Sequence, residues 1–365
     1  MITVYFIFLC VLGFVLFTSA AYKQTCSNRS QEPMRNTFSI SVIIPFRDEI
    51  DNLPYLIECI HLQEEYPLEI LFIDDHSSDS GRNLLIDTFV NNERVRVLNL
   101  PFQLEGKKAA VRFGVEHARG SHCLTLDADV HFQSTFFNTL NNSRISDMKI
   151  SPVIMASETF LGRLFGFEYM FFNALNFSLS VLYVSSASGA NLLFNREKYI
   201  IWDSSDSHNY LSSGDDHFLL RDFQANQASI DVTNLLELAV STPSVNTWKG
   251  YFNQRVRWLS KLKSKSNWKE WILGLVLSLY FMGSFILFVQ LSITGNLVGV
   301  MTLFGIRLAI DWFVFSNYAS RLHLLKMIKV YPIFFVVYPV LFLLVIILSL
   351  FHIPKWKGRD VLKNK

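Results

Sequence analysis

Two pairs of carboxylates and one amide–guanidinium–indole triplet are the side chains of this sequence best suited to do chemistry. Asp127 and Asp129 close the apolar run Leu124-Thr125-Leu126 and are separated only by Ala128. Alternation along a strand points both carboxylates the same way, so they can converge on one hard cation; the competing reading is a solvated turn after a strand. Asp215 and Asp216 follow Gly214, and two adjacent acids entering a helix commonly serve as N-terminal caps. Gln254, Arg257 and Trp258 fall within about one helical turn. A guanidinium suits bidentate phosphate contacts and an indole offers a flat face to a sugar. The alternative is a basic juxtamembrane helix, continued by Lys261, Lys263, Lys265 and Lys269.

These side chains need a rigid frame. Ser39-Ile40-Ser41-Val42-Ile43-Ile44-Pro45 reads as a short buried strand closed by a proline that cannot continue a central ladder. Residues 53–62 carry apolar side chains at helical spacing. A second buried strand, Glu69-Ile70-Leu71-Phe72-Ile73, ends in Asp74 and Asp75 and runs into a helix start, where Asp74 reads as a structural cap. The third unit is Val95-Arg96-Val97-Leu98, a loop carrying Gly106, Lys107 and Lys108, an Ala-rich helix to His117, and the strand ending at Asp127. The two lysines suit either a nucleotide or a solvated loop. Strand–helix alternation of this kind implies an α/β fold with a mostly parallel sheet and crossover helices, whose ligand lies beyond the carboxyl ends of the strands. No Gly-x-Gly-x-x-Gly and no Walker-type Gly-Lys-Ser/Thr occurs, which argues against a dinucleotide oxidoreductase or a P-loop ATPase.

Composition adds a membrane. Half of the 365 residues are hydrophobic, 33 are Phe, and mean hydropathy is +0.27, more apolar than a soluble enzyme requires. Residues 1–21 form an N-terminal apolar stretch about long enough to span a bilayer. Ser19-Ala20-Ala21 resembles a signal-peptidase site, but no Lys or Arg precedes the run while Lys23, Arg29 and Arg35 follow it, favouring an anchor whose C-terminal side is cytoplasmic. Residues 22–37 read as a linker, 38–270 as the catalytic domain, 271–352 as C-terminal membrane segments (271–293, 297–315 and 330–351), and 353–365 as a basic tail. Within 160–183 the charges Arg163 and Glu168 make a bilayer span unfavourable, so a helix packed on the sheet is expected. Arg307 and Asp311, four apart, are expected to pair and face protein. Three late spans would put the tail outside, whereas Lys355, Lys357, Arg359, Lys363 and Lys365 favour the inside, so span count and charge disagree. The net charge of +2 hides acids gathered between residues 48 and 231 and bases from 255 onward, which points to anionic membrane lipids rather than nucleic acid. The four cysteines fit neither a disulfide framework nor zinc spacing.

The series Ile43-Ile44-Pro45-Phe46-Arg47-Asp48-Glu49, Ile73-Asp74-Asp75-His76-Ser77-Ser78-Asp79, Gly106-Lys107-Lys108-Ala109, Asp127-Ala128-Asp129, Ser213-Gly214-Asp215-Asp216 and Gln254-Arg255-Val256-Arg257-Trp258 resembles the membrane-bound family 2 glycosyltransferases with a GT-A fold. The resemblance covers roughly residues 38–260, and the joint order of six motifs is far more specific than any one. It implies a GT-A, Rossmann-like sheet with N- and C-terminal transmembrane helices. It also implies a Mg²⁺ or Mn²⁺ on Asp129 helped by Asp127, with Asp75 at the base and Pro45, Arg47, Glu49 and Lys107 around the nucleotide. Asp216 becomes the general base, tuned by Asp215, because a neighbouring carboxylate raises proton affinity. Gly189 and Asn191, with Gln254, Arg257 and Trp258, fall near diphosphate and acceptor. Asp48 stands where Asn is frequent and Asp215 where Glu is frequent.

The expectation is therefore an inverting hexosyltransferase of the membrane, plausibly the plasma membrane. It takes a sugar from a nucleotide-sugar donor, UDP-linked favoured, to a lipid or glycan acceptor at the cytoplasmic face. A processive polysaccharide synthase and a membrane-anchored nucleotide-binding protein with a degenerate site are the alternatives.

Overall fold

A computed structural model describes residues 2–29, 38–203, 214–260, 267–351, 355–356 and 359–360. In chain order the elements are α1 (Ile2–Arg29), β1 (Ile40–Phe46), α2 (Leu53–His61), β2 (Glu69–Asp74), α3 (Gly81–Thr88), β3 (Val95–Asn99), α4 (Lys107–His117), β4 (His122–Leu126), β5 (His131–Phe132), α5 (Phe136–Asn141), β6 (Met148–Ile150), β7 (Val153–Ala156) and α6 (Phe160–Leu179). There follow β8 (Asn191–Asn195), α7 (Arg196–Trp202), α8 (Asp215–Ala225), β9 (Ile230–Val232), β10 (Val240–Pro243), α9 (Trp248–Ser260), α10 (Trp268–Ser278), a π-turn at Leu279–Gly283, α11 (Ser284–Ile293), α12 (Leu297–Ala319), α13 (Tyr331–Phe351), β11 (Lys355–Trp356) and β12 (Arg359–Asp360). The chain divides into two compact units: a sheet unit of residues 27–156, 186–243 and 356–365, and a helical unit of 1–26, 157–185 and 244–355.

The sheet unit is mixed α/β. Its central sheet has seven strands in the order β3-β2-β1-β4-β8-β6-β9. β1 runs parallel to both β2 and β4, β2 parallel to β3, and β8 antiparallel to its neighbours β4 and β6. Every residue of β1, β2 and β4 is buried, which explains their unbroken β-branched and Leu/Phe runs. From β1 the chain builds outward to β2 and β3, then returns to the other side with β4. The order therefore reverses between β1 and β4, and such a switch point opens a crevice beyond the strands' carboxyl ends. α4 packs on β1 so closely that a Cβ at Gly114 would come within 2.6 Å of Ile43 Cγ2. Pro45, expected to close the first strand, lies inside it opposite Ile73. The ladder with β4 ends earlier, at Ile43 and Thr125, so the missing N–H removes no bond on that side. A smaller sheet, β5-β10-β7, places Thr242 of β10 beside the chain leaving β4.

Among the described residues of the helical unit, four helices are long and apolar enough to cross a membrane: Ile2–Cys26, Trp268–Ile293, Leu297–Ala319 and Leu325–Phe351. The late segments read from the sequence are each present and slightly longer. The linker expected at 22–37 is helical as far as Arg29. Lys23 stays buried there, its Nζ 5.5 Å from the centre of the Phe177 ring. α6 and α9 also belong to this unit, so within the stretch 38–270 residues 157–185 and those from 244 onward group with the long helices. The helix expected within 160–183 is present as α6, and it makes aromatic contacts within this unit. Phe167 meets Phe315 and Phe334 at 5.1 Å, and Phe177 meets Tyr318 at 5.5 Å.

Arg307 and Asp311 pair as expected, at 3.1 Å, with exposures of 2 % and 1 %. Tyr280 and Tyr331 each donate to the Asp311 carboxylate at 2.6 Å. The π-turn leaves the Tyr280 carbonyl outside the regular ladder. That carbonyl accepts from Arg307 Nη1 at 2.9 Å and from Tyr5 OH at 3.0 Å. Each of the four long helices contributes a polar side chain to this node.

Candidate active site

Asp127 leaves the carboxyl end of β4 and forms an ion pair with Lys107, the first residue of α4. Asp129 follows, half-buried, and its Oδ2 accepts from Thr242 Oγ1 at 3.1 Å. Burial, the neighbouring Asp127 and then Glu49 push the Asp129 carboxyl up to about 6, against the opposing pull of Thr242 and Lys107. Glu49 is oriented by Asn52, whose Nδ2 donates to Glu49 Oε2 at 2.7 Å. Three carboxylates thus crowd one end of the switch point with a single lysine among them. The donors are hard oxygens, suited to Mg²⁺ or Mn²⁺. Among the described residues no group of three or more His, Cys, Asp or Glu side chains is arranged to hold an ion unaided. The pair therefore fits a cation that keeps most of its coordination for water and ligand phosphates, as Mg²⁺ commonly does.

A second cluster lies at the ends of β1 and β2. Asp75 is 2 % exposed, and its Oδ1 accepts the Gly106 amide at 3.1 Å, fixing the entry to α4. Burial raises its carboxyl, with the Gly106 amide and then Arg47 opposing. Arg47 Nη1 approaches the Asp75 carbonyl at 3.4 Å. The charge that Asp48 brings is taken up locally. At φ 51° it turns its Oδ1 to the Ser78 amide at 2.7 Å and hydroxyl at 2.9 Å, and the Ser78 amide is the main cause that lowers its carboxyl. Asp74, expected as a helix cap, instead closes the turn before α3 by accepting from the Ser77 amide at 2.9 Å. His76, at φ 59°, stacks on the exposed Phe102 with ring centres 5.5 Å apart.

Gly214, at φ 104°, starts α8 in a conformation that disfavours any side chain. Asp216 Oδ1 accepts its neighbour's amide, His217 N, at 2.7 Å, and Oδ2 accepts the Gly189 amide at 3.3 Å, so two of the expected residues do meet. Ser213 and the Asp215 side chain lie outside the described residues. Asp216 lines a small pocket with Lys108, Thr125, Tyr199, Asp203 and Phe218. Asn191, expected near the ligand, is 1 % exposed, and its Nδ2 donates to the carbonyls of Pro152 at 3.0 Å and Leu238 at 2.8 Å. It ties β8 to adjoining backbone instead of presenting an amide to solvent.

Gln254, Arg257 and Trp258 lie on α9 of the helical unit and are each half-buried. The residue between them carries an interaction the sequence reading missed. Arg255 Nε meets Glu168 Oε1 at 3.0 Å, both side chains 8 % exposed. The available signal was an acid at position 168 inside an otherwise apolar helix, which requires a buried partner.

An open, mostly parallel sheet with acidic residues gathered at its switch point defines an α/β domain that receives its ligand beyond the strand ends. Residues 41–141 match the family described as Glycosyl transferase family 2. That segment includes Asp127 and Asp129 but ends before Asp216 and the α9 motif. An uncharacterized glycosyltransferase of Synechocystis sp. is 33 % identical over 98 residues, 26 % of this chain and 30 % of that protein. Less than a third of that relative's length is thus spanned. Similar solved structures include mannosyltransferase PcManGT from Pyrobaculum calidifontis in complex with GDP-Man and Mn²⁺, 12 % identical with a TM-score of 0.48, covering 96 % of this chain and 99 % of that one. Another is glucosyl-3-phosphoglycerate synthase from Mycobacterium tuberculosis with Mn²⁺, UDP and glucosyl-3-phosphoglycerate, 15 % identical with a TM-score of 0.40, covering 62 % and 80 %.

Proposed function

We propose that this chain is an integral-membrane, inverting glycosyltransferase that moves a hexose from a nucleotide-sugar donor, UDP-linked in preference to GDP-linked, to a lipid or glycan acceptor at the cytoplasmic face. The observation that carries the reading is the approach of Asp127 and Glu49 to Asp129, with Lys107 paired to Asp127, at the crevice between β1 and β4, inside the matched family segment. Asp129 and Asp127 would hold a Mg²⁺ or Mn²⁺ ion, which when bound offsets the negative charge on a departing diphosphate. Pro45, Arg47, Glu49, Asp75 and Lys107 border the nucleotide. Arg47 reaches the Asp75 carbonyl across the ends of β1 and β2, and Lys107 steadies Asp127 from the start of α4.

Asp216 is the general base for the acceptor hydroxyl, with Asp215 beside it. The Gly189 amide on Asp216 Oδ2 fixes the carboxylate's orientation for taking up the proton. Attack from the face opposite the nucleotide inverts the anomeric centre. Gln254, Arg257 and Trp258 serve diphosphate and acceptor, while Asn191 supports the Gly189 loop through its two backbone bonds. The four long apolar helices favour an acceptor that itself resides in membrane lipid.

Purified protein in lipid nanodiscs, supplied with Mn²⁺, a panel of UDP- and GDP-sugars and a membrane lipid extract, tests the reading. Release of UDP or GDP with transfer to a lipid or glycan product is expected, and Asp129→Ala and Asp216→Ala each abolish it. Release unchanged in both variants would remove the assignment.

A further inference from the structure

We infer that Glu168 of α6 is a positioning residue for the α9 motif: it fixes the Arg255 guanidinium, which in turn holds the Gln254 amide and the Trp258 indole. This rests on the reading that Gln254 and Trp258 meet the diphosphate or acceptor.

The geometry is specific to a guanidinium. One edge of the Arg255 fork faces Glu168, with Nε to Oε1 at 3.0 Å and Nη2 to Oε2 at 3.4 Å. Nη2 also donates to the Phe165 carbonyl at 3.2 Å, one turn earlier on α6. The remaining corner, Nη1, donates to Gln254 Oε1 at 2.6 Å, which settles which end of that amide is left as donor. The planar group lies against two rings of its own helix, Tyr251 at 4.9 Å and Trp258 at 4.5 Å. Trp258 is bordered further by Tyr169, the residue after Glu168, at 5.6 Å. Tyr251, Gln254, Arg255 and Trp258 recur at helical spacing along one stripe of α9. A lysine could neutralise Glu168 but could not present two edges and two faces together.

Stability alone gives little reason for this arrangement. A buried ion pair is often matched or bettered by well-packed apolar residues of similar volume, whereas removing one partner leaves an uncompensated charge. Burial works against the charged Arg255, but Glu168 together with Tyr251 and Tyr338 more than offsets it, so the guanidinium keeps its charge. What an apolar pair cannot do is aim the Gln254 amide and back the Trp258 ring. The acid at position 168 and the arginine at 255 are therefore better explained by the two side chains they orient.

Calorimetric titration of the full-length protein with Mn²⁺ and either UDP or UMP reads this directly, because only UDP carries the second phosphate. The variants are Glu168→Gln, Arg255→Lys and the double apolar replacement Glu168→Met/Arg255→Met, with folding followed by circular dichroism. Losing a charge-assisted contact at the motif lowers UDP affinity about 10- to 100-fold in all three, while UMP affinity stays within about 2-fold. The double variant is expected to fold as the wild type does, since both charges leave together. If the folded double variant binds UDP as the wild type does, the pair is structural only and the inference falls. If Gln254→Ala and Trp258→Ala leave the ratio of UDP to UMP affinity unchanged, the motif does not meet the ligand, and the parent reading fails with it. Loss in those two alongside normal binding in the double variant overturns only the positioning role.

Discussion

The acidic crevice of the sheet unit and the polar node of the helical unit both place charge where water is scarce, yet they are built in opposite ways. At the node, one acid and one arginine face each other, two tyrosine hydroxyls donate to the acid, a π-turn carbonyl accepts from the guanidinium, and each of the four long helices adds a polar side chain. At the crevice, Lys107 pairs with Asp127 and the Thr242 hydroxyl binds Asp129, while burial and then the nearby Asp127 and Glu49 raise the proton affinity of Asp129. A charge the fold itself has satisfied marks architecture. Charges of one sign that the fold leaves crowded mark a place for something of the opposite sign.

The largest effect should come from breaking the satisfied site. Asp311→Asn leaves Arg307 buried without its counter-ion and should destabilise the protein by about 3–5 kcal/mol, seen as a lower unfolding midpoint in detergent; Arg307→Met/Asp311→Leu should recover most of it. At the crevice the order inverts. Asp129→Ala should lower transfer about 10²- to 10³-fold with folding stability unchanged or slightly higher, because a like charge has gone. Mn²⁺ at about 100 times its Kd should stabilise the wild type by about 2.7 kcal/mol and leave Asp129→Ala unmoved in thermal denaturation. The smallest change belongs to Tyr5→Phe, which removes one interhelical hydroxyl from a node with many others. About 0.6 kcal/mol is expected, and a shift of several kcal/mol would mean that this hydroxyl holds α1 in place far more firmly than its geometry implies.

What could be read before any coordinates follows the same division. The central strands announce themselves because strands buried on both faces must be apolar throughout, and Asp127 and Asp129 stand out where such a run stops. Arg307 and Asp311 could be paired because four residues bring two charges to one helix face. Partners that are distant in sequence were harder. Glu168 was visible as an interruption, but nothing near it names Arg255, 87 residues away. The partners of α6 within its own unit could not be named locally, because its apolar faces accept any apolar neighbour and the fit to α12 and α13 depends on ring shapes. Asn191 looks like a ligand-facing amide until the carbonyls of Pro152 and Leu238 are seen to need its donors. Pro45 was given too strong a role as a terminator, since where the β4 ladder stops is a property of the neighbouring strand.

The central claim is that the crowded carboxylates at the sheet's switch point receive a divalent cation together with a nucleoside diphosphate. Mn²⁺ binding followed by electron paramagnetic resonance, with and without UDP, tests it most directly. The account predicts one ion per chain, held more tightly when UDP is present, and lost in Asp129→Ala but retained in Asp311→Asn protein that remains folded. Equal Mn²⁺ binding in wild type and Asp129→Ala, or none in either with UDP present, would contradict it.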